Sequence, residues 1–84
     1  MNIWRVETVK AVTGYRSTAS IYNLMRAGLW PQSVSIGRRS VGWPSAEVIA
    51  INAARIAGAT EEQLRELVIR LHAKRPALLK EALE

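Results

Sequence analysis

Residues 13–30 read TGYRSTASIYNLMRAGLW, a glycine-containing turn followed by a helical pattern. Gly14 suits the left-handed conformation that ends a helix, and a short helix is predicted before it over 7–12. A second helix is predicted over 18–27, because apolar residues recur there every three or four positions, at Ile21, Leu24, Met25 and Gly28. Two short helices joined by a tight turn are typical of a helix-turn-helix.

The face of the second helix opposite this apolar side is small and polar. At about 100° per residue it carries Ala19, Tyr22, Asn23 and Arg26, with Arg16 on the same side at the N-terminal end. In a DNA major groove, Asn pairs with adenine and Arg with guanine, so Asn23, together with Arg16 or Arg26, is a candidate for reading bases. Ser17, Thr18 and the free N–H groups that begin the helix are candidates for binding phosphate. Ordinary solvation of a helix surface is the alternative.

A small hairpin is predicted after this helix. Residues 34–36 and 41–43 alternate apolar and polar side chains, and residues 37–40 supply a turn. Arg38 and Arg39 lie at its tip, where they are either an exposed turn or a wing that contacts the DNA backbone or minor groove. The tryptophans are scattered along the chain, which favours core packing over a base-stacking platform for Trp4, Trp30 and Trp43.

Two further helices are predicted. The first opens at Pro44, with Ser45 as N-cap, ends at Gly58 and offers an apolar face formed by Val48, Ile49, Ile51 and Ile56. The second begins with a capping box at Thr60 and carries an apolar seam formed by Leu64, Leu67, Val68 and Leu71. Pro76 is expected to break or kink it, leaving 77–83 as a frayed tail. The seam either covers the core or pairs with a second copy to make a dimer.

The expected fold is mainly α with a small β-hairpin wing: a winged helix-turn-helix over 1–58 and a C-terminal helix over 59–84. A chain of 84 residues supports one hydrophobic core. Seven basic and two acidic side chains precede Thr60, whereas five of each follow. This asymmetry predicts that residues 1–59, the front, bind an anion and that residues 60–84, the back, are neutral. Nucleic acid is the commonest large cytoplasmic anion.

The residue inventory argues against catalysis. The chain has no Cys and no Asp, and its single histidine, His72, is expected to be a solvated side chain near a helix C-terminus. A metal site or an activated nucleophile needs several such groups to converge. We therefore expect no enzyme activity, no metal, no cofactor and no small-molecule substrate. No spanning segment or signal peptide is recognisable, which predicts a cytoplasmic, nucleoid-associated protein without membrane contact.

Several short motifs together resemble the AlpA family of phage and prophage regulators, which is similar to excisionase and MerR-type winged helix-turn-helix proteins. They are Thr13-Gly14, Ser20-Ile21-Tyr22, Trp30-Pro31, and Ile36 to Trp43, the last reading IGRRSVGW. The resemblance spans about 6–57. It implies a regulator encoded on a prophage or other mobile element, with its recognition helix at 17–27 and its wing at 34–43.

This chain departs from the family pattern where sequence would be read. One extra residue separates Thr13-Gly14 from Ser20, and Asn23 stands where the family often has Arg. The resemblance therefore predicts a double-stranded DNA partner without its target sequence. Other functions remain open at this point: an excision factor using the same surface, a protein-interaction module such as an antirepressor or antitoxin, or an RNA binder.

Overall fold

A computed structural model describes residues 2–84, which form four helices and a three-stranded antiparallel sheet. The elements are β1 (Ile3–Trp4), α1 (Val6–Thr13), α2 (Thr18–Arg26), β2 (Val34–Gly37), β3 (Ser40–Pro44), α3 (Ser45–Ile56) and α4 (Glu61–Leu83). The predicted fold class, a mainly helical winged helix-turn-helix followed by a C-terminal helix, is confirmed.

The sheet has the order β1-β3-β2, with the predicted hairpin as its β2–β3 half. Gly37 pairs with Ser40, so Arg38 and Arg39 form a two-residue connection at the tip, and an irregularity follows Ser35 in β2. Strand β1, which sequence analysis did not predict, places Trp4 beside Trp43. Two residues are too short to show the alternation that identifies a strand.

Gly42, in the middle of β3, marks a close approach of three chain segments. A Cβ there would lie 2.7 Å from the Ile3 side chain, 2.8 Å from the Ile36 side chain and 2.8 Å from the Trp4 carbonyl oxygen. A methyl group has no space at these distances, so glycine allows β1 and β2 to close around β3.

The core is built around two tryptophans. Trp30 and Trp43 are fully buried, and the core around them consists of Val9, Ile21, Val48, Ile51 and Val68. Trp43 Nε1 donates a hydrogen bond to the Pro31 carbonyl at 2.8 Å. Trp4 is half-buried against the same cluster. The prediction that all three tryptophans pack in the core is therefore confirmed.

The helix ends follow from local sequence. Gly14 ends α1 with φ 82°, the left-handed conformation expected of it. The Ser17 hydroxyl caps α2 by accepting the Ser20 N–H at 3.1 Å. At the start of α4, Thr60 and Gln63 exchange hydrogen bonds in the predicted capping box.

Helix α3 departs from the prediction in two ways. Pro44, and not Ser45, is the N-cap, because the Ser45 hydroxyl is used elsewhere: it accepts the Asn2 N–H at 3.2 Å. Ser45 N–H in turn donates to the Asn2 carbonyl at 2.7 Å, which extends the β1–β3 pairing into the helix. The predicted apolar face was also too broad. Val48 and Ile51 are buried, but Ile49 and Ile56 are 54% and 81% exposed.

The prediction of a break at Pro76 was wrong, since α4 continues through it to Leu83. Proline removes one N–H donor from the helix but does not end it here. Arg75 forms two hydrogen bonds with the Glu47 carboxylate and one with the Gln32 carbonyl, so the turn before Pro76 is held from outside the helix. The predicted seam packs on the core through Leu64, Leu67, Val68 and Leu71.

Candidate nucleic-acid interface

The exposed face of α2 carries most of the residues proposed from sequence. Ile21 is buried on the inner side, and Leu24 and Met25 pack against the core, so the opposite side of the helix faces solvent. Ala19, Asn23 and Arg26 are exposed there, and Arg16 is exposed just before the helix begins. The structure thus brings these four positions to one surface.

Tyr22 has a different role from its neighbours on this face. Its ring is half-buried and packs edge-on against Trp43, with ring centroids 6.2 Å apart and planes at 65°. Edge-to-face aromatic pairs of this kind contribute about 0.5–1.5 kcal/mol beyond area burial. Tyr22 therefore fixes α2 against strand β3, the strand that leads out of the hairpin tip.

Asn23 and Arg26 form a hydrogen-bonded pair one helical turn apart. Arg26 Nη1 donates to Asn23 Oδ1 at 3.2 Å. The asparagine retains its amide donors, and the arginine retains its remaining N–H groups. The pair thus presents a fixed set of donors to the solvent, suited to acceptors on a base edge or a phosphate.

The N-terminus of α2 is closed by serine side chains. The Ser17 hydroxyl caps the helix and lies 2.8 Å from the Ser20 hydroxyl. Thr18 is half-buried. Because Ser17 satisfies the Ser20 N–H, the earlier N–H groups of the helix remain as the available anion donors.

The hairpin tip exposes two adjacent cations. Arg38 and Arg39 are both exposed, and Arg39 has φ 59°. That left-handed conformation costs a residue other than glycine roughly 1–2 kcal/mol, so the tip carries a charged side chain where the backbone favours glycine.

No acidic residue occurs in the stretch of sequence that carries the arginines of α2 and the hairpin tip. Residues 8–46 contain five basic side chains and no acidic one. The next acid, Glu47, is buried and paired with Arg75 of α4. Its negative charge therefore does not oppose the arginines of α2 and the tip.

Two basic residues counted in the predicted front are engaged elsewhere. Arg55 lies 4.7 Å above the Tyr15 ring and hydrogen-bonds its hydroxyl. Burial raises the pKa of Tyr15, and the nearby Arg55 cation partly opposes that rise. Lys10 lies 3.4 Å from the Glu7 carboxylate. The basic residues of the front that form no salt bridge within residues 2–84 and no contact with an aromatic ring are therefore Arg5, Arg16, Arg38 and Arg39, with Arg26 paired to a neutral amide.

Helix α4 anchors the connection between α2 and β2, a link that sequence analysis missed. Arg65 Nε donates to the Ala27 carbonyl at 3.0 Å, and Arg75 donates to the Gln32 carbonyl at 2.7 Å. His72 Nε2 accepts the Gln32 N–H at 3.0 Å. The partners lie 38 to 43 residues apart, beyond the range of helical periodicity or capping rules.

The expectation of a solvated His72 near a helix end was therefore wrong. The side chain lies in the middle of α4, half-buried, and acts as a hydrogen-bond acceptor. Burial lowers the pKa of His72, Arg75 lowers it further, and Glu47 opposes the shift. The neutral imidazole that accepts the Gln32 N–H is thus the favoured form.

Within residues 2–84 no three His, Cys, Asp or Glu side chains converge as a metal site. None of the helices in this range is both long enough and apolar enough to cross a bilayer.

Comparison with known proteins places the sequence in a family. Residues 2–50 match the model described as "Prophage CP4-57 regulatory protein (AlpA)", and this match covers more than half of the chain. The chain belongs to the AlpA family. Uncharacterized protein ORF88 of Enterobacteria phage P4 is 44% identical over 54 residues, which are 64% of this chain and 60% of that relative. No solved structure matches the chain.

The AlpA match ends within helix α3. It includes β1, α1, α2, the hairpin and the first half of α3, together with every site residue proposed from sequence. Helix α4 lies outside it. The description of the AlpA family is regulatory, and the matched residues include Arg16, Arg26, Arg38 and Arg39.

Proposed function

We propose that the chain is a sequence-specific regulator that binds double-stranded DNA and controls genes of a phage, prophage or other mobile element. One observation carries the proposal: the exposed arginines of α2 and the hairpin tip lie in a 39-residue stretch, 8–46, without an acidic side chain. Membership of the regulatory AlpA family supports it. The protein would act in the cytoplasm on the nucleoid, as a binding protein without a cofactor.

In this proposal α2 lies in the major groove and the hairpin tip contacts the adjacent backbone or minor groove. Asn23 reads a base, with Arg16 and Arg26 as candidates for guanine contacts. Arg38 and Arg39 bind phosphate, which positions the protein without reading sequence. Ser17, Thr18 and the first N–H groups of α2 hold a further phosphate.

Three residues of the same face assist by position. Ala19 is small and exposed on α2, which permits close approach of the helix to the groove. Tyr22, packed on Trp43, fixes the angle between α2 and the hairpin. In this proposal 1–58 is the DNA-binding part and 59–84 is its support, because Arg65 and Arg75 of α4 hydrogen-bond the α2–β2 connection.

The test is selection from a random duplex DNA library at two salt concentrations, read by sequencing, with wild type and Asn23→Ala in parallel. Wild type is expected to enrich a defined motif. The variant is expected to lose preference at one base position, by about 1–3 kcal/mol of discrimination, because its side chain can no longer pair with the base.

Asn52→Ala is the matched control, since Asn52 lies on α3 and donates a hydrogen bond to the Val12 carbonyl. It is expected to select the wild-type motif. A folded wild-type protein that enriches no motif would refute sequence-specific binding. A defined motif that Asn23→Ala leaves unchanged would instead remove Asn23 from base readout.

A further inference from the structure

An apolar groove of about 490 Å³ lies between the first turns of α3 and the C-terminal half of α4, and none of Arg16, Arg26, Arg38 and Arg39 lines it. Its apolar lining consists of Ala46, Ala50, Leu71, Ala77 and Leu78. The alanines leave the backbones of both helices accessible to a third helix. An apolar groove between two helices is a typical docking site for another helix.

Apolar side chains continue beyond the groove along the end of α4. Leu78 is 45% exposed, and Leu79 and Leu83 are more exposed still. They follow Pro76, in the part of the helix that lies past the core contacts of Leu64 to Leu71. Of these three, only Leu78 lines the groove, and there it offers a large, partly exposed apolar side chain that another molecule can cover.

The charges at the edge of the groove indicate which molecule that is. Lys74 and Glu81 both line it, seven residues or about two turns apart. Neither forms a salt bridge within residues 2–84. The midpoint between them falls between Ala77 and Leu78. A second α4 laid antiparallel about that midpoint brings Lys74 of each copy opposite Glu81 of the other.

The nearby cation Arg75 does not oppose this arrangement, because the Glu47 carboxylate already neutralises it. The groove is thus self-complementary in charge as well as apolar in lining, which is what a twofold interface between identical chains requires.

We propose that this groove is a homodimer interface, occupied by the C-terminal half of α4 from a second copy of the chain. Leu78 of each copy packs in the groove of the other, over Ala46 and Ala50, and two Lys74–Glu81 pairs flank the apolar contact. The inference concerns the α3–α4 surface, and its test contains no DNA, so its outcome is independent of the proposed function.

The experiment is sedimentation equilibrium of the full chain over a range of concentrations, with wild type, Lys74→Glu, Glu81→Lys and the double charge reversal. Wild type is expected to dimerise. Each single reversal replaces two attractions with two repulsions and is expected to raise the dimer Kd by at least about tenfold. The double reversal restores opposite charges across the twofold axis and is expected to recover most of the wild-type Kd.

Lys80→Glu is the matched control, because it makes the same charge change on α4 at a position that does not line the groove. Its Kd is expected to stay within about twofold of wild type. A wild-type chain that is monomeric at all concentrations would overturn the proposal and leave the groove to a different partner. The proposal would also be overturned if the single reversals left the dimer Kd unchanged, or if the double reversal failed to restore it.

Discussion

Helices α2 and α4 differ in what they expose. Helix α2 buries Ile21 and turns Asn23 and Arg26 to solvent, whereas the end of α4 leaves Leu79 and Leu83 exposed. Polar donors suit a partner that is itself polar and charged. Apolar side chains suit a partner with a complementary apolar surface. The same small core therefore supports two surfaces of different chemistry.

The two regions are mechanically connected. Arg65, His72 and Arg75 of α4 reach the connection that follows α2, and Arg75 also holds Glu47 at the start of α3. A change at the α3–α4 surface therefore has a direct route to the orientation of α2. Substitutions in one region, or in the contacts between the two, separate their contributions to stability and to DNA binding.

The largest effect is expected for Glu47→Gln, which breaks the link between the regions. The Glu47 side chain is 8% exposed and the Arg75 side chain 23%. Loss of the carboxylate leaves the Arg75 cation partly buried beside a neutral amide, which we expect to cost about 2 kcal/mol of unfolding free energy. Thermal unfolding followed by circular dichroism should show a Tm lower by roughly 10 °C.

Glu62→Gln is the control for this substitution, since Glu62 also lies in the first turn of a helix but is exposed. Its unfolding free energy is expected to stay within about 0.5 kcal/mol of wild type. Equal stability of the two variants would mean that the Glu47–Arg75 pair does not join the regions.

A smaller effect is expected for Arg38→Ala at the hairpin tip, which tests the basic surface alone. Loss of one phosphate contact should weaken binding to all duplex sequences by about fivefold, and should lower the salt dependence of log K by about 0.9. Fluorescence anisotropy over a salt series measures both quantities. Arg70→Ala on α4 is the control, because Arg70 is paired with Glu66 away from the tip. Equal salt slopes for wild type and Arg38→Ala would exclude this contact.

The smallest effect is expected from titration of His72. Burial and Arg75 lower its pKa below the ordinary 6.5. Protonation in the unfolded chain is then easier than in the folded one, so stability is fully present above about pH 6.5 and declines as the pH falls from there through the lower folded pKa. The decline is expected to be less than about 1 kcal/mol, the contribution of one hydrogen bond.

Urea unfolding of wild type and His72→Gln between pH 7.5 and 5.5 measures this contribution. Glutamine offers a carbonyl acceptor that does not titrate, so the difference in stability between the two proteins should change with pH over this range. A constant difference would show that the imidazole titrates alike in the folded and unfolded chains.

Local patterns predicted most of the elements. The apolar spacing of α2, the capping box at Thr60 and the alternation around Gly37 each act over fewer than about five residues, and all three appear in the structure. The arginines at 38 and 39 were placed at the tip for the same reason. These features depend on backbone geometry that neighbouring residues determine.

Long-range contacts account for the errors. Ser45 was predicted as a cap because its neighbours suit one, but its hydroxyl binds Asn2, 43 positions away. Pro76 was expected to interrupt α4, and the Arg75 contacts that accompany its continuation lie on α3 and at Gln32. Ile49 and Ile56 lie roughly 80–160° round α3 from Val48 and Ile51, at about 100° per residue, so they face solvent while the other two face the core.

The left-handed backbone at Arg39 sets the stability of the fold against the positive charge of the hairpin tip. A glycine at position 39 would relieve roughly 1 kcal/mol of backbone strain and would remove one of the two tip cations. Laboratory selection for thermal resistance alone would favour that exchange, at the expense of the tip's basic character. Position 39 is thus a place where an engineered, hardier form of this protein would be expected to diverge from the natural one.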